Sequence, residues 1–132
     1  MKLLARLLAT IVITLAGTHA WALDTEPFSK ERFDTLQSNG TPVLVDVYAT
    51  WCPTCAKQRK VLEAYQAQNP ESELVVLDVD FDDQKEWVKH FKAPRQSTLI
   101  LFSGGKQVWF SVAETREEKI FEALNQATMA TP

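Results

Sequence analysis

The chain has 132 residues, 45% of them hydrophobic and 23% charged, which suits one globular domain and is too short for two. Its formal net charge of −3 and its scattered basic residues argue against a nucleic-acid partner, which would need a concentrated basic surface. The sequence contains no internal repeat, low-complexity tract or block of like charge.

The first residues have the pattern of a secretory signal peptide. Lys2 and Arg6 precede an uninterrupted apolar run over residues 7–16, and residues 20–22 (AWA) offer a cleavage site of the A-x-A type. The apolar run is shorter than the roughly 20 residues that span a bilayer, so an uncleaved anchor is the weaker alternative. We therefore expect residues 1–22 to be removed on export.

Residues 23–132 are expected to form a single domain in which helix and strand patterns alternate. Capping residues, apolar periodicity and glycine or proline stops predict the elements. The first half is predicted to contain a helix over 30–38, with Ser29 as N-cap and a Phe28–Phe33 staple, then a strand over 43–48 and a helix from Cys52 to about 68. A strand over 73–79 and a short helix capped by Asp82-Asp83 follow. The chain then forms strands over 98–102 and 107–112, joined at Gly104-Gly105, and a last helix behind a capping box over 115–118. Strands joined through a helix pair in parallel and the closing hairpin pairs antiparallel, so the predicted fold is an α/β three-layer sandwich. Its mixed central sheet would have four to five strands flanked by helices.

The only two cysteines of the chain lie where a predicted strand gives way to a helix. Cys52 stands at the helix start, where free N–H groups and the helix dipole favour a thiolate. Cys55 lies one turn on, on the same face, so the two sulfurs can form a disulfide. Such a disulfide closes too small a loop to be an effective structural staple, which favours a redox-active pair. We assign Cys52 as the nucleophile and Cys55 as the thiol that resolves a mixed disulfide.

A metal site is the main alternative use of these cysteines. A structural zinc ion needs four ligands, and the exported chain offers only Cys52, Cys55 and His90, which is predicted on another helix. We expect no metal and no other cofactor within one chain, whereas a metal shared between two chains stays open. A structural disulfide in an inert module is a third, weaker interpretation.

Asp46 lies within the apolar strand over 43–48, six residues before Cys52. Burial of an ionised carboxylate is costly, so the pKa of Asp46 should rise toward neutrality. A buried carboxylate near a dithiol can take the proton of Cys55 as that thiol attacks. The alternative is a strand-edge aspartate held by a backbone N–H.

Residues 46–55, the strand–CxxC–helix context and the later stretch TLILF-SGGK together resemble thioredoxins, over about residues 28–126. The string over residues 49–55 (ATWCPTC) is especially similar to the exported thioredoxin-like reductases of cytochrome c maturation. This resemblance implies a periplasmic thiol–disulfide oxidoreductase with Cys52, Cys55 and Asp46 as catalytic residues. It also implies a substrate groove, lined by Trp51, Pro53, Thr54, Gln96, Ser97 and Thr98.

Two of the chain's departures from the thioredoxin pattern concern the predicted groove. Ser97 stands where thioredoxins carry a cis-proline opposite the CxxC, and its peptide should be trans because a non-proline cis bond is costly. We expect Ser97 to present an additional N–H and a hydroxyl to the sulfurs. Ala113 corresponds to a glycine near the end of the fourth strand and should narrow the groove slightly.

The expected partners are protein thiols and disulfides, with a membrane thiol-electron transporter as the possible donor. We expect a monomer. The Pro53-Thr54 dipeptide predicts a more reducing couple than that of the family's strong oxidants, which carry Pro-His. The alternative function is a thioredoxin-fold protein that uses the cysteines and Ser97 to hold a thiol or a metal.

Overall fold

A computed structural model describes residues 23–129 of the chain. The predicted signal peptide, residues 1–22, lies outside the described residues, so its removal stays a prediction. None of the described helices is long and apolar enough to cross a membrane.

The described residues form four helices and five strands. They are β1 (Glu26–Pro27), α1 (Lys30–Ser38), β2 (Val43–Tyr48), α2 (Pro53–Gln68), β3 (Val75–Asp80), α3 (Lys85–His90), β4 (Thr98–Ser103), β5 (Lys106–Val112) and α4 (Glu117–Met129). All elements predicted from the sequence are present, so the predicted fold class is confirmed.

One mixed sheet runs through the molecule in the strand order β1-β3-β2-β4-β5. The pairs β1–β3 and β2–β3 are parallel, whereas β2–β4 and β4–β5 are antiparallel. The two-residue strand β1 was not anticipated, because a segment this short has no periodicity to reveal it. Strand β2 lies at the centre, which rules out Asp46 as a strand-edge residue.

Alternation along β2 places apolar side chains on both faces of the sheet. Val43, Val45 and Val47 pack with helices α1 and α3, while Leu44 packs with α2 and α4. The result is a three-layer arrangement with a core on each side of the sheet. The carboxyl end of β2 and the start of α2 meet at one end of this sandwich.

The first helix is capped as the sequence predicts. The Ser29 side chain accepts a hydrogen bond from the Arg32 N–H, and the rings of Phe28 and Phe33 lie 5.7 Å apart. The tight turn between β4 and β5 is also confirmed, since Gly104 and Gly105 have φ of 57° and 75°.

Two predicted helix caps are wrong. The side chains of Asp82 and Asp83 do not cap α3; instead their backbone N–H groups donate to the Asp80 carboxylate. Before α4 the Glu114 carboxylate, rather than the side chain of Thr115, accepts the free N–H groups. In both places a neighbouring carboxylate accepts the N–H groups in the turn.

Candidate active site

Cys52 is the N-cap residue of α2, as the sequence predicts. Its backbone is extended, Pro53 begins the helix, and the Cys55 N–H donates to the Cys52 sulfur over 3.1 Å. The sulfur therefore occupies the place that a serine or aspartate oxygen takes in an ordinary N-cap. Free N–H groups and the helix dipole at this position stabilise a thiolate.

Cys52 and Cys55 form a disulfide with their Cα atoms 5.3 Å apart. Both residues are buried, with relative exposures of 4% and 2%. The roles of Cys52 as nucleophile and Cys55 as resolving thiol stay a prediction.

Ser97 contacts the disulfide directly. Its Oγ lies 3.0 Å from Sγ of Cys52 and 3.3 Å from Sγ of Cys55. Because disulfide sulfurs carry no hydrogen, the hydroxyl is the donor. The expected hydroxyl contact is confirmed, but the expected N–H contact is wrong, since that N–H donates to the Val47 oxygen at 2.8 Å.

The backbone around Ser97 is strained. No peptide bond within residues 23–129 is cis, and Ser97 adopts φ of 64°, a left-handed conformation that non-glycine residues seldom take. Ala113 has φ of 59° and donates its N–H to the Ser97 oxygen at 2.8 Å. Two strained residues thus lie together beside the disulfide, as is common at functional sites.

Gln58 is a site residue that the sequence reasoning missed. It is fully buried, and its Nε2 donates to the backbone oxygens of Ser97 at 3.1 Å and of Glu114 at 2.9 Å. These bonds hold the two segments next to the disulfide against helix α2. A glutamine in the buried stripe of that helix, between Cys55 and Leu62, was the available signal.

Asp46 is buried beneath helix α2, with 1% of its surface exposed. Its Oδ2 lies 3.2 Å from Nη2 of Arg59, and the same nitrogen lies 2.9 Å from Oδ1 of Asp78. The angles of both contacts fall outside those of hydrogen bonds, so they are ionic contacts. Burial raises the pKa of Asp46 to about 7, against a lowering by Arg59 and with a further rise from Asp78.

Arg59 and Asp78 were not anticipated as site residues. Arg59 lies one turn after Cys55 on α2, so both side chains project from the same face. The Tyr48 ring supports the guanidinium, whose carbon is 4.1 Å from the ring centre. A charged residue one turn after the second cysteine was the only hint in the sequence.

A cavity of about 250 Å³ opens beside the disulfide, and Cys52, Cys55, Arg59 and Tyr48 are among its lining residues. It joins the redox pair to the guanidinium that contacts Asp46. A larger cavity, of about 620 Å³, lies at the far end of α2 beside Asn69 and has no contact with the disulfide.

The predicted groove residues differ in exposure. Trp51 is 58% exposed, and its indole N–H donates to Asp82 over 2.7 Å. Pro53 is exposed, Thr54 and Gln96 are partly exposed, and Ser97 and Thr98 are buried. The Thr98 hydroxyl donates to the Arg95 oxygen at 2.7 Å rather than facing the groove. Contact of these residues with a substrate stays a prediction.

No cluster of three or more His, Cys, Asp or Glu side chains arranged to hold a metal occurs in the part of the chain that the structure describes. His90 packs against Trp87 and Phe91 on α3, in the aromatic cluster on the face of the sheet opposite α2. The structure does not bring it together with the two cysteines.

A buried cysteine pair at a helix N-terminus, above a buried carboxyl group in a mixed five-stranded sheet, defines a dithiol–disulfide exchange protein. The thioredoxin family model matches residues 24–126, and the chain belongs to the thioredoxin family. It is therefore a thiol–disulfide oxidoreductase of the thioredoxin type, with Cys52 and Cys55 as its disulfide-forming pair.

Individual relatives agree with this assignment. The thioredoxin of Chlamydia trachomatis is 32% identical over 98 residues, which are 74% of this chain and 93% of that protein. A bifunctional thioredoxin reductase/thioredoxin of Mycobacterium leprae is 41% identical over 75 residues, 57% of this chain but only 16% of that protein. The crystal structure of Trxlp from Edwardsiella tarda is 42% identical, with a TM-score of 0.72, over 76% of this chain and 98% of that one.

Proposed function

We propose that this protein is a periplasmic reductase of protein disulfides. The Cys52 thiolate attacks one sulfur of a substrate disulfide, forms a mixed disulfide and releases the other substrate sulfur as a thiolate. Cys55 then attacks Sγ of Cys52, which frees the second substrate sulfur and forms the Cys52–Cys55 disulfide. Two electrons pass to the substrate in this cycle.

The observation that carries the proposal is the position of the Cys52 sulfur. It accepts the Cys55 N–H and lies 3.0 Å from the Ser97 hydroxyl. Both donors, with the helix dipole, stabilise the thiolate that attacks the substrate disulfide in the first step.

The proton of Cys55 must leave before that thiol can attack. We assign Asp46 as its acceptor, because a carboxyl group with a pKa of about 7 can both accept and release a proton near neutral pH. The cavity beside Arg59 and Cys55 offers the proton a route to solvent.

Export is supported by the signal-peptide pattern over residues 1–22 and by the similarity of residues 49–55 to the exported reductases of cytochrome c maturation. An exported reductase needs electrons from the cytoplasm, so a membrane thiol-electron transporter is the proposed donor. We propose that the protein acts as a monomer without a membrane anchor.

A reducing direction is supported by Thr54, which supplies only a hydroxyl between the cysteines. We expect a reduction potential toward the negative end of the range of about −270 to −120 mV spanned by related couples. Equilibration with glutathione measures it, and a value near −120 mV would overturn the proposed direction.

The Cys55→Ser variant tests the exchange mechanism. Expressed with residues 1–22 in a bacterial host, it should accumulate mixed disulfides through Cys52, visible as dithiothreitol-sensitive adducts in the periplasmic fraction. The Cys52→Ser variant is the matched control and should trap none. Absence of adducts with Cys55→Ser would contradict the exchange role. Adducts confined to the cytoplasm would contradict the periplasmic location.

The thiol- or metal-binding alternative draws on one feature, the oxygen of Ser97 beside two sulfurs. It predicts a metal in reduced, anaerobically purified protein, together with no turnover of disulfide substrates. Metal analysis and an insulin-reduction assay on the same sample separate the two functions.

A further inference from the structure

Asp46 and Asp78 lie side by side on the central strands. They are register partners in the parallel pair of β2 and β3, so their side chains project from the same face of the sheet. Nη2 of Arg59 lies between them, 3.2 Å from Asp46 Oδ2 and 2.9 Å from Asp78 Oδ1. One cation is therefore shared by two carboxyl groups.

The charge of this cluster does not balance when both acids are ionised. Asp46 is 1% exposed and Asp78 is 13% exposed at its side chain, so neither is fully solvated. A buried carboxylate beside a partly buried one, with a single guanidinium between them, leaves one uncompensated negative charge, which is costly at low dielectric. The cluster thus tends to retain one proton near neutral pH.

The contacts indicate which acid holds that proton. Asp78 accepts a hydrogen bond from the Thr25 hydroxyl at 2.9 Å and has the closer contact with Arg59. Neither carboxyl oxygen of Asp46 accepts a hydrogen bond from any group within residues 23–129. The hydrogen bond and the closer cation therefore lie on Asp78, so Asp46 is the acid that takes up the proton of the cluster. With a pKa of about 7, Asp46 is partly ionised near neutral pH, and this ionised fraction can accept the proton of Cys55.

We propose that Asp78 is a positioning residue that holds Arg59 away from full pairing with Asp46 and so keeps Asp46 able to exchange its proton during disulfide exchange. The inference rests on the proposed function, in which Asp46 accepts the proton of Cys55. An Asp46 fully paired with Arg59 would remain ionised and would be a weaker base toward Cys55.

The other groups around Asp46 are consistent with this role. Besides Arg59, helix α2 carries Cys55, which lies one turn before Arg59 on the same face of the helix. Strand β3 contributes Asp80 beyond Asp78, strand β2 contributes the Tyr48 hydroxyl, and the β4 register partner of Asp46 is the apolar Leu99. Arg59 is the one cation that contacts Asp46 among the described residues. How closely Arg59 pairs with each of the two acids therefore determines how readily Asp46 binds a proton.

Two substitutions test this sharing of Arg59, because they should shift the titration midpoint of Asp46 in opposite directions. Asp78→Asn releases Arg59 to Asp46 and removes a neighbouring negative charge, so the Asp46 titration midpoint should fall by about one pH unit or more. Arg59→Gln removes the cation, so the midpoint should rise. The readout is ¹³C NMR of the Asp46 carboxyl carbon in the oxidised protein over pH 4–9.

Asp80→Asn is the matched control. It changes the net charge by the same amount on the same strand, but the Asp80 carboxylate accepts the N–H groups of Asp82 and Asp83 and does not contact Arg59. It should shift the Asp46 midpoint much less than Asp78→Asn does. Equal shifts in these two variants, or no fall with Asp78→Asn, would overturn the proposal.

Thr25→Val provides a second variant if Asp78→Asn fails to fold. It removes only the hydroxyl that stabilises ionised Asp78, so part of the proton should move to Asp78 and the Asp46 midpoint should fall by a smaller amount. A rise or an unchanged midpoint with this variant would contradict the assignment of the proton to Asp46.

Kinetics separate this inference from the proposed function. The acid limb of the mixed-disulfide resolution rate should move to lower pH in Asp78→Asn, in step with the NMR midpoint. If the NMR midpoints of Asp46 shift as expected but Asp46→Asn resolves the mixed disulfide at the wild-type rate, the role of Asp78 in positioning Arg59 is retained and Asp46 is rejected as the proton acceptor. If the Asp46 midpoints do not shift, the positioning role of Asp78 is rejected, whatever the exchange assays show.

Discussion

The hydroxyl oxygen of Ser97 lies 3.0 Å from the sulfur of Cys52, and the Ser97 side chain is completely buried. The sulfurs of Cys52 and Cys55 are its only hydrogen-bond partners among the described residues. On reduction, the same hydroxyl can donate to the Cys52 thiolate, where a charged acceptor makes the bond stronger. A residue at this position can therefore affect the redox equilibrium directly.

Ser97→Ala should make the couple more reducing by roughly 30 mV, or about 1.4 kcal/mol, because the reduced form loses a hydrogen bond to its thiolate. The alkylation rate of Cys52 near neutral pH should fall as well. Both are measured on purified protein, by glutathione equilibration and by iodoacetamide labelling.

Ser97→Gly is the control for backbone effects at this position. It removes the same hydroxyl but also relieves the left-handed strain, so its potential should match that of Ser97→Ala while its stability is higher. A potential that stays at the wild-type value in both variants would show that the hydroxyl does not stabilise the thiolate.

Ala113→Gly should stabilise the protein by about 0.5–1 kcal/mol. Ala113 has φ of 59° and is exposed, so glycine removes backbone strain without loss of buried surface. Urea denaturation measures the change. In the control, Ala123→Gly at a buried position of helix α4, glycine should instead destabilise by about 1 kcal/mol or more, because helix propensity and buried surface are both lost. Destabilisation by both would mean that Ala113 is not strained.

Stability should fall with rising pH because of Asp46. Its pKa is about 7 in the folded protein and near the ordinary 3.8 when unfolded, so the folded state binds the extra proton between these values. Asp46→Asn mimics the protonated acid and leaves Arg59 paired with Asp78. The variant should equal wild type near pH 4 and exceed its stability by up to about 4 kcal/mol near pH 8.

Denaturation of the oxidised protein from pH 4 to pH 8 measures this difference. Asp83→Asn, at an exposed position in the turn before α3, should leave the pH profile unchanged and serves as control. A gap between wild type and Asp46→Asn that is constant with pH would contradict a raised pKa of Asp46.

Trp51→Ala should lower kcat/KM for a protein disulfide by about tenfold, because an exposed aromatic side chain beside the disulfide can anchor a bound polypeptide. Reduction by the small dithiol dithiothreitol should change less than twofold, since that reagent needs no such anchor. The control is Asp82→Ala, which removes the acceptor of the indole N–H and an ionic contact with Lys85 at 3.9 Å but keeps the aromatic ring of Trp51. Equal losses with the protein disulfide and with dithiothreitol would remove Trp51 from substrate binding.

Much of the fold could be predicted because it depends on local patterns. The alternating valines of β2, the Gly104-Gly105 turn and the Ser29 cap depend on residues close together in the chain, and each appears in the structure as expected. The caps of α3 and α4 could not be predicted as well, since several polar side chains compete for the same N–H groups in each turn.

The candidate site could likewise be predicted only in part. The cysteine pair, the helix that carries it and the buried position of Asp46 follow from the residues between Asp46 and Cys55, which are near neighbours in sequence. The contact of Ser97 with both sulfurs follows from a resemblance, and its left-handed backbone was not foreseen.

Arg59, Asp78 and Gln58 could not be assigned to the site in advance, because their contacts join elements that are distant along the chain. The register of β2 and β3 sets Asp78 beside Asp46, and the rotation of α2 on the sheet brings Arg59 between them. Strand patterns predict that two strands pair but not which residues face each other. The chemistry of the dithiol can therefore be read from one stretch of sequence, whereas the proton on Asp46 depends on charges that only packing brings together.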